Sequence, residues 1–216
     1  MFLRLSLVSL SLLMFAGCTA HANSLQPNPT NSNIDCQQIA NSLEQNHVSP
    51  IRQSVPQNKA GKTSRQSYNS ATSRSYMTLS PTKCTNAVGN PLYKLSLYAN
   101  GQLVGTYLTV SGRADTQSKN RHRGGTKAPL PDGKYTVAKG ITAGVEPEVG
   151  DRFLAIHPTF RTGRSALGIH YDPSFEKKNG EDGTSGCIGL RNKQELDQVL
   201  NYVRQYHPQY LQVKIL

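Results

Sequence analysis

The chain has 216 residues and a formal net charge of +11 at pH 7, with 24 Lys and Arg against 13 Asp and Glu. This excess predicts attraction to an anionic partner but indicates no particular chemistry. No nucleic-acid-binding motif accompanies the charge, so nucleic acid is not the expected partner. After the N-terminus no segment is long and apolar enough to predict a transmembrane helix.

Residues 1–22 have the pattern of a signal peptide for export. Arg4 gives a positive start, and the apolar stretch Leu5 to Phe15 has the length of a signal-peptide core, too short to span a bilayer. The protein is therefore expected in the periplasm or cell envelope. There an anionic cell-wall polymer or a membrane surface would meet the positive charge.

Two processing sites compete at the end of this segment. Phe15-Ala16-Gly17-Cys18 resembles a bacterial lipobox, in which Cys18 would be lipidated and become the mature N-terminus. Ala20-His21-Ala22 is a cleavage signal that would release a protein beginning at Asn23. The lipid anchor is favoured, because Cys18 has no other evident role; both sites remain open.

Residues 23–75 are dominated by Asn, Ser, Gln, Pro and Thr and predict a largely disordered linker, because they bury too little apolar surface to offset the entropy of folding. A short helix is predicted around Cys36, where apolar residues recur at helical spacing. In an oxidising compartment Cys36 and Cys84 are a plausible disulfide. Cys187 is then the odd thiol.

Residues 76–216 are predicted to form one mostly-β domain with a single late helix. Apolar alternation predicts strands, and these are Tyr93–Tyr98, Leu103–Val110, Gly133–Ala138, Arg152–His157, Ala166–His170 and Leu211–Leu216. Asn100-Gly101 between the first two is a strong hairpin signal. Apolar spacing predicts the helix over Lys193–Tyr206, ended by Pro208.

Two connections between the predicted strands carry charge. Gly112–Lys127 is basic. It is either a loop exposed to solvent or a loop that contacts a substrate, and both remain open. Asp172–Gly183 joins the segments that contain His170 and Cys187 and is a candidate rim or lid.

Cys187 lies in the run Thr184-Ser185-Gly186-Cys187-Ile188, downstream of an apolar strand that ends at His170. A cysteine nucleophile needs a base to take its proton, so Cys187 and His170 are the candidate nucleophile and base. The backbone N–H groups of Gly186 and Cys187 are candidate oxyanion donors. The small and polar neighbours of Cys187 argue against a buried, inert thiol.

Over about Leu92 to Leu190 the chain resembles the YkuD family of L,D-transpeptidases. The hairpin that begins at Tyr93 is similar, and Thr126-Lys-Ala-Pro-Leu-Pro-Asp-Gly-Lys-Tyr-Thr-Val137 is similar to the family's TPTPxGxFxI. Gly168-Ile169-His170 resembles the histidine strand, and Ser185-Gly186-Cys187-Ile188 resembles the nucleophile motif SHGCIR.

The resemblance implies a β-sandwich-like fold and a reaction on peptidoglycan stem peptides. Cys187 would attack the amide between the third residue, a diamino acid, and the terminal D-alanine. An amine of a neighbouring stem would then resolve the thioester into a 3→3 cross-link. His170 would be the base that later protonates the leaving amine.

The chain departs from the family motif at several positions. Ser185 stands where the motif has histidine, and Gly189 stands where it has arginine. Arg191, two residues later, is a candidate replacement for that arginine. Tyr171 follows the histidine where glycine or serine is common, so Asp172 and a backbone carbonyl both remain candidates to orient His170. Ser185, Arg191 and Tyr171 are proposed substrate contacts.

The sequence is also consistent with a second reaction, with a non-catalytic function and with a metal site. An L,D-carboxypeptidase would use the same residues with water as acceptor, and a non-catalytic wall-binding lipoprotein would use the basic segments alone. His157 with His170 and Cys187 would make a three-ligand zinc site, but no metal-binding spacing occurs, so no metal is expected. His157 is instead expected to line the substrate channel. No nucleotide, flavin or phosphate-loop motif occurs, so no cofactor is expected.

Overall fold

The computed structural model describes residue 36, residues 74–179 and residues 181–216. The predicted signal segment with Cys18, and the predicted linker up to residue 73 apart from Cys36, lie outside the described residues. Within the described part of the chain, no helix has the length and apolar character needed to cross a membrane.

The described residues contain eight strands and one α-helix, which confirms the mostly-β class with one late helix. The strands are β1 Tyr76–Thr85, β2 Pro91–Ala99, β3 Gln102–Val110, β4 Gly133–Ala143, β5 Arg152–Pro158, β6 Gly168–Tyr171, β7 Ile188–Leu190 and β8 Leu211–Val213. The helix α1 spans Lys193–Tyr206, the range that apolar spacing predicts. A short 3-10 helix lies at Ala114–Thr116.

The strands form one closed ring in the order β1-β2-β3-β7-β6-β5-β4-β8. The sandwich expected from the family resemblance would have two separate sheets. Here hydrogen bonds between neighbouring strands continue all the way round and close a barrel. The three residues of β8 close the ring, because they pair in parallel with β1 and antiparallel with β4. Apolar side chains from all the strands fill the interior.

The turn between β2 and β3 has the conformation that the Asn-Gly signal predicts. Asn100 and Gly101 both have positive φ, at 52° and 80°. A two-residue hairpin of this kind needs positive φ at both central positions, which Asn and Gly tolerate best.

Helix α1 supports the strands that carry the candidate site. Asn192 caps its N-terminus, where its side chain accepts a hydrogen bond from the Glu195 amide at 2.9 Å. The apolar face with Leu196, Val199 and Leu200 is buried in the barrel core, and the helix packs against β6, β7 and β2. The helix therefore fixes β6 and β7 from the inner side.

Two strands were not predicted from the sequence. In β1 several positions are polar, and Pro81 interrupts the strand signal; the register between β1 and β2 shifts just after this residue. Strand β7 has only three residues, one of them a glycine, so it is too short for an alternating pattern. Both strands form because neighbouring strands pair with them.

A disulfide joins Cys36 to Cys84 in β1, with the two Cα atoms 5.7 Å apart. Cys84 is buried in a small apolar cluster with Leu92, Leu108, Val110 and Phe175. Cys36 packs against the same cluster. The bond therefore attaches a point 48 residues upstream to the outside of the barrel.

We expect reduction of this disulfide, or the variant Cys36→Ser, to destabilise the protein. Closing a loop of 48 residues restricts the unfolded chain and is worth at most about 4 kcal/mol. Thermal unfolding with and without dithiothreitol measures the effect. Dithiothreitol should not lower the midpoint of Cys36→Ser further. An equal midpoint for the oxidised and reduced wild type would contradict the prediction.

Candidate functional site

The parallel pairing of β6 with β7 brings His170 and Cys187 to neighbouring strands. In this register Ile169 is opposite Ile188 and His170 is opposite Gly189. Cys187 directly precedes β7, so the same register puts it level with Gly168, two residues from His170 and on the same face of the sheet. Cys187 and His170, the nucleophile and base predicted from the sequence, therefore lie on adjacent strands in the same region of the barrel.

The hydroxyl of Thr184 organises the turn that leads into Cys187. This buried oxygen accepts hydrogen bonds from the amides of Gly112 and Gly186, each at 3.1 Å, and donates one to the carbonyl of Cys187 at 2.8 Å. The Thr184 amide in turn donates to the Gly112 carbonyl at 3.1 Å. The side chain and the backbone of Thr184 thus both hold the turn to the end of β3.

Gly186 occupies a backbone conformation and a space that suit only glycine. Its φ is +106°, and an added Cβ would lie 2.6 Å from the Ala128 carbonyl oxygen and against the Arg164 guanidinium. Its amide donates to the Thr184 hydroxyl, so in this arrangement the Gly186 N–H is not free to bind an oxyanion. Of the two predicted oxyanion donors, Cys187 N–H is the one that remains.

His170 is completely buried, and its ring is held by a backbone carbonyl. Nδ1 lies 2.8 Å from the carbonyl oxygen of Tyr171. Because a carbonyl only accepts, Nδ1 carries the proton and Nε2 has the free lone pair. Nε2 is buried without a hydrogen-bond partner among the described residues. Burial lowers the pKa of His170, against the opposite effects of the Tyr171 carbonyl and the Glu148 charge.

Cys187 is buried, with 6% of its surface exposed, which corrects the expectation drawn from its small polar neighbours. Its Sγ lies 3.7 Å from the carbonyl oxygen of Ala166. Burial raises the pKa of the thiol to about 11; the charge of Glu148 acts in the same direction, and the Gly168 amide and Arg164 oppose it. The resting pair is therefore a neutral thiol and a neutral imidazole.

Despite its burial, Cys187 lines a cleft of about 480 Å³. The turn between β4 and β5 contributes Glu148 to this cleft, and the segment before β4 contributes Lys127. Phe153 also lines it and stacks on the His170 ring, with 6.3 Å between the ring centroids. The cleft thus gives a ligand access to the thiol, while Phe153 shields the imidazole.

Ser185 is held between two side chains of opposite charge. Its amide and hydroxyl donate to the two carboxylate oxygens of Glu148, at 3.3 and 3.0 Å. Its carbonyl accepts a hydrogen bond from Nη2 of Arg164 at 2.6 Å. The Arg164 guanidinium is buried and also donates to the carbonyls of Ala128 and Arg121. No motif marked Glu148 or Arg164 in the sequence.

Gly189, the position of the family arginine, has no room for a side chain. A Cβ there would lie 2.9 Å from methyl groups of Thr184 and Val110. Arg191 does not replace the family arginine, because it does not line the cleft. Its guanidinium instead lies over the Phe175 ring, 6.0 Å from the ring centroid. Arg164, from a different segment, brings the guanidinium to the cleft instead.

Of the four proposed substrate contacts, only Ser185 lines the cleft. His157 is exposed on β5, and Tyr171 packs against Gly150 with Lys193 over its ring. Tyr171 contributes through its backbone carbonyl, which orients His170. Asp172, the other candidate for that task, is buried and accepts a hydrogen bond from the Ser174 amide instead.

The two charged connections have different positions. Gly124, Gly125 and Lys127 of the basic segment line the cleft. No described residue between Asp172 and Gly183 lines it; Phe175 instead packs into the cluster around Cys84. The structure therefore offers no support for this connection as a rim or lid.

Among the described residues, His157 does not form a metal-binding group with His170 and Cys187. Across residues 36, 74–179 and 181–216, no group of three or more His, Cys, Asp or Glu side chains is placed to hold a metal ion.

A buried thiol that lines a cleft, with a neutral imidazole on the next strand, is chemically suited to acyl transfer through a thioester. The family of L,D-transpeptidase catalytic domains called YkuD matches residues 88–210, more than half of the chain. The chain belongs to this family. The resemblance of its motifs to YkuD enzymes is thereby confirmed.

A search of curated proteins found no match. Among solved structures, the chain is similar to the crystal structure of the L,D-transpeptidase (residues 123–326) from Xylanimonas cellulosilytica DSM 15894, with 15% identity and a TM-score of 0.38. The similarity covers 67% of this chain and 62% of that one.

We expect Thr184→Val to destabilise the protein strongly. The substitution keeps the shape but leaves two amides and one carbonyl without their partner, at about 1–3 kcal/mol for each buried group. Denaturant unfolding measures the loss. Thr184→Ser keeps the hydroxyl and should retain most of the stability. A stable Thr184→Val together with a destabilised Thr184→Ser would assign the role to the methyl group instead.

We also expect Asp172 to lower the free energy of unfolding as the pH rises from about 4 to about 7. Burial raises the pKa of its carboxyl from 3.8 to about 7, so between these values the folded protein keeps a proton that the unfolded chain loses. The contribution of Asp172 to the free energy of unfolding is complete below pH 4 and lost by about pH 7. Its size is about 1.4 kcal/mol for each unit by which the folded and unfolded pKa values differ.

Urea unfolding of wild type and Asp172→Asn at pH 4.5 and pH 8 tests this. The Asn variant should gain stability relative to wild type at the higher pH. The comparison cancels the contribution of His170, whose lowered pKa acts in the opposite direction. The same pH dependence in both proteins would contradict the prediction.

Proposed function

We propose that the chain is an exported peptidoglycan L,D-transpeptidase that uses Cys187 as its nucleophile. Its acyl donor is a stem tetrapeptide, and its acceptor is the side-chain amine of a neighbouring stem. The product is a 3→3 cross-link. The mature protein would act in the periplasm or cell envelope, attached to the membrane if Cys18 is lipidated.

The reaction has two acyl transfers. Nε2 of His170 takes the thiol proton as Sγ attacks the carbonyl of the third stem residue, and Cys187 N–H bonds the developing oxyanion. The amide C–N bond breaks, His170 returns the proton to the leaving amine, and D-alanine departs. The acceptor amine then attacks the thioester, loses a proton to His170, and expels the Cys187 thiolate, which takes that proton back.

The observation that carries the proposal is the tautomer of His170. Its bond from Nδ1 to the Tyr171 carbonyl leaves a lone pair on Nε2, which has no partner in the described part of the chain. Such a buried orphan nitrogen costs stability, and it lies on the strand beside the thiol. The neutral resting pair also fits a mechanism in which the proton moves only when a substrate is bound.

Intact-protein mass spectrometry of the full chain with a disaccharide tetrapeptide tests the proposal. We expect a covalent adduct on Cys187 that equals the donor minus D-alanine, together with a cross-linked dimer. The variant Cys187→Ala should remain folded, and its adduct and product should both fall to background.

Three other outcomes would redirect the assignment. D-alanine release with only tripeptide as product would indicate a carboxypeptidase. Binding to the wall without adduct or product would indicate a non-catalytic lipoprotein. Product from Cys187→Ala at the wild-type rate would rule out Cys187 as the nucleophile.

A further inference from the structure

The carboxylate of Glu148 is an unbalanced negative charge in the cleft beside Cys187. Both of its oxygens accept hydrogen bonds from Ser185, two residues before the thiol. In the described ranges no Lys, Arg or His lies within ion-pair distance of it. A half-buried carboxylate retains free acceptor positions after two such bonds, so it can still bind a cation.

This charge is unfavourable for the free protein. Glu148 raises the pKa of Cys187, His170 and Asp172, and for the thiol it opposes formation of the thiolate that must react. The guanidinium of Arg164 forms no ion pair with Glu148, since its hydrogen bonds go to three backbone carbonyls. A positive group carried by the ligand would compensate the charge.

We infer that Glu148 recognises the side-chain ammonium group of the diamino acid in the acyl donor. The inference rests on the proposed function, because it assumes a stem peptide with its third residue at Cys187. That residue has two amines, and only the side-chain amine is free to be charged. A cleft wall adjacent to the nucleophile is where this side chain would lie as its own carbonyl meets Sγ.

The donor ammonium fits Glu148 better than the acceptor amine does. A carboxylate stabilises the protonated form of an amine. The acceptor amine has to be neutral to attack the thioester, so binding to Glu148 would hinder it. The donor side chain takes no part in bond making and can remain charged throughout. Its charge would also offset the effect of Glu148 on the thiol, so the correct substrate would favour its own attack.

The test compares two donors on two proteins by the second-order rate constant for D-alanine release in the first turnover, which comes before any acceptor amine attacks. One tetrapeptide has a free side-chain amine, and the other has that amine acetylated. For wild type the rate constant should be at least tenfold higher with the free amine, the size expected for a hydrogen bond between charged groups. In Glu148→Gln the two donors should react at about the same rate, because the amide keeps the shape of the side chain without its charge.

Glu181→Gln is the matched control, since Glu181 is exposed and lies outside the cleft lining. It should keep the wild-type preference. If wild type releases D-alanine equally fast from both donors, the inference is wrong and the proposed function stands, whether or not the Glu148 variant folds. If neither donor reacts, the proposed function itself fails. An unchanged preference in folded Glu148→Gln would also overturn the role of Glu148.

Discussion

The parallel pairing of β6 and β7 is the constraint on which the candidate site depends. It sets His170 against Gly189 and leaves Cys187 at the start of the neighbouring strand. Parallel neighbours need a long connection, and here residues 172–187 join the two strands. Helix α1 packs against both strands and fixes the pair from within. The thiol and the imidazole thus owe their proximity to backbone register and not to a direct bond between them.

Around this pair, the protein balances polar groups that are costly to bury. Thr184 satisfies two amides and a carbonyl in the turn, and Arg164 satisfies three carbonyls around it. Nε2 of His170 is one of the buried side-chain atoms in the described part of the chain that lack a hydrogen-bond partner. This nitrogen lies on the strand beside the thiol, where a cost in stability can be exchanged for function.

Much of the fold was predictable because its signals are local. The Asn-Gly turn and the apolar spacing of α1 each depend on a few adjacent residues, and Cys187 and His170 lie in recognisable motifs. Strand β7 was not predictable, because pairing with β6 and β3 creates it. Glu148 and Arg164 come from connections without a motif, and the ring orientation of His170 depends on a carbonyl that any residue possesses. The apparent loss of the family arginine at Gly189 became understandable only with the space around that position.

The closure of the barrel by β8 has a consequence for how the chain folds. Met77 pairs with Leu211, so one of the contacts that complete the ring joins segments at opposite ends of the domain. Contacts of such high sequence separation form slowly, because a large loop must be ordered before they are gained. During folding, β1 and β4 each keep one exposed edge until residues 211–213 pair with them. A chain interrupted before that point would present two open strand edges and would be prone to aggregate.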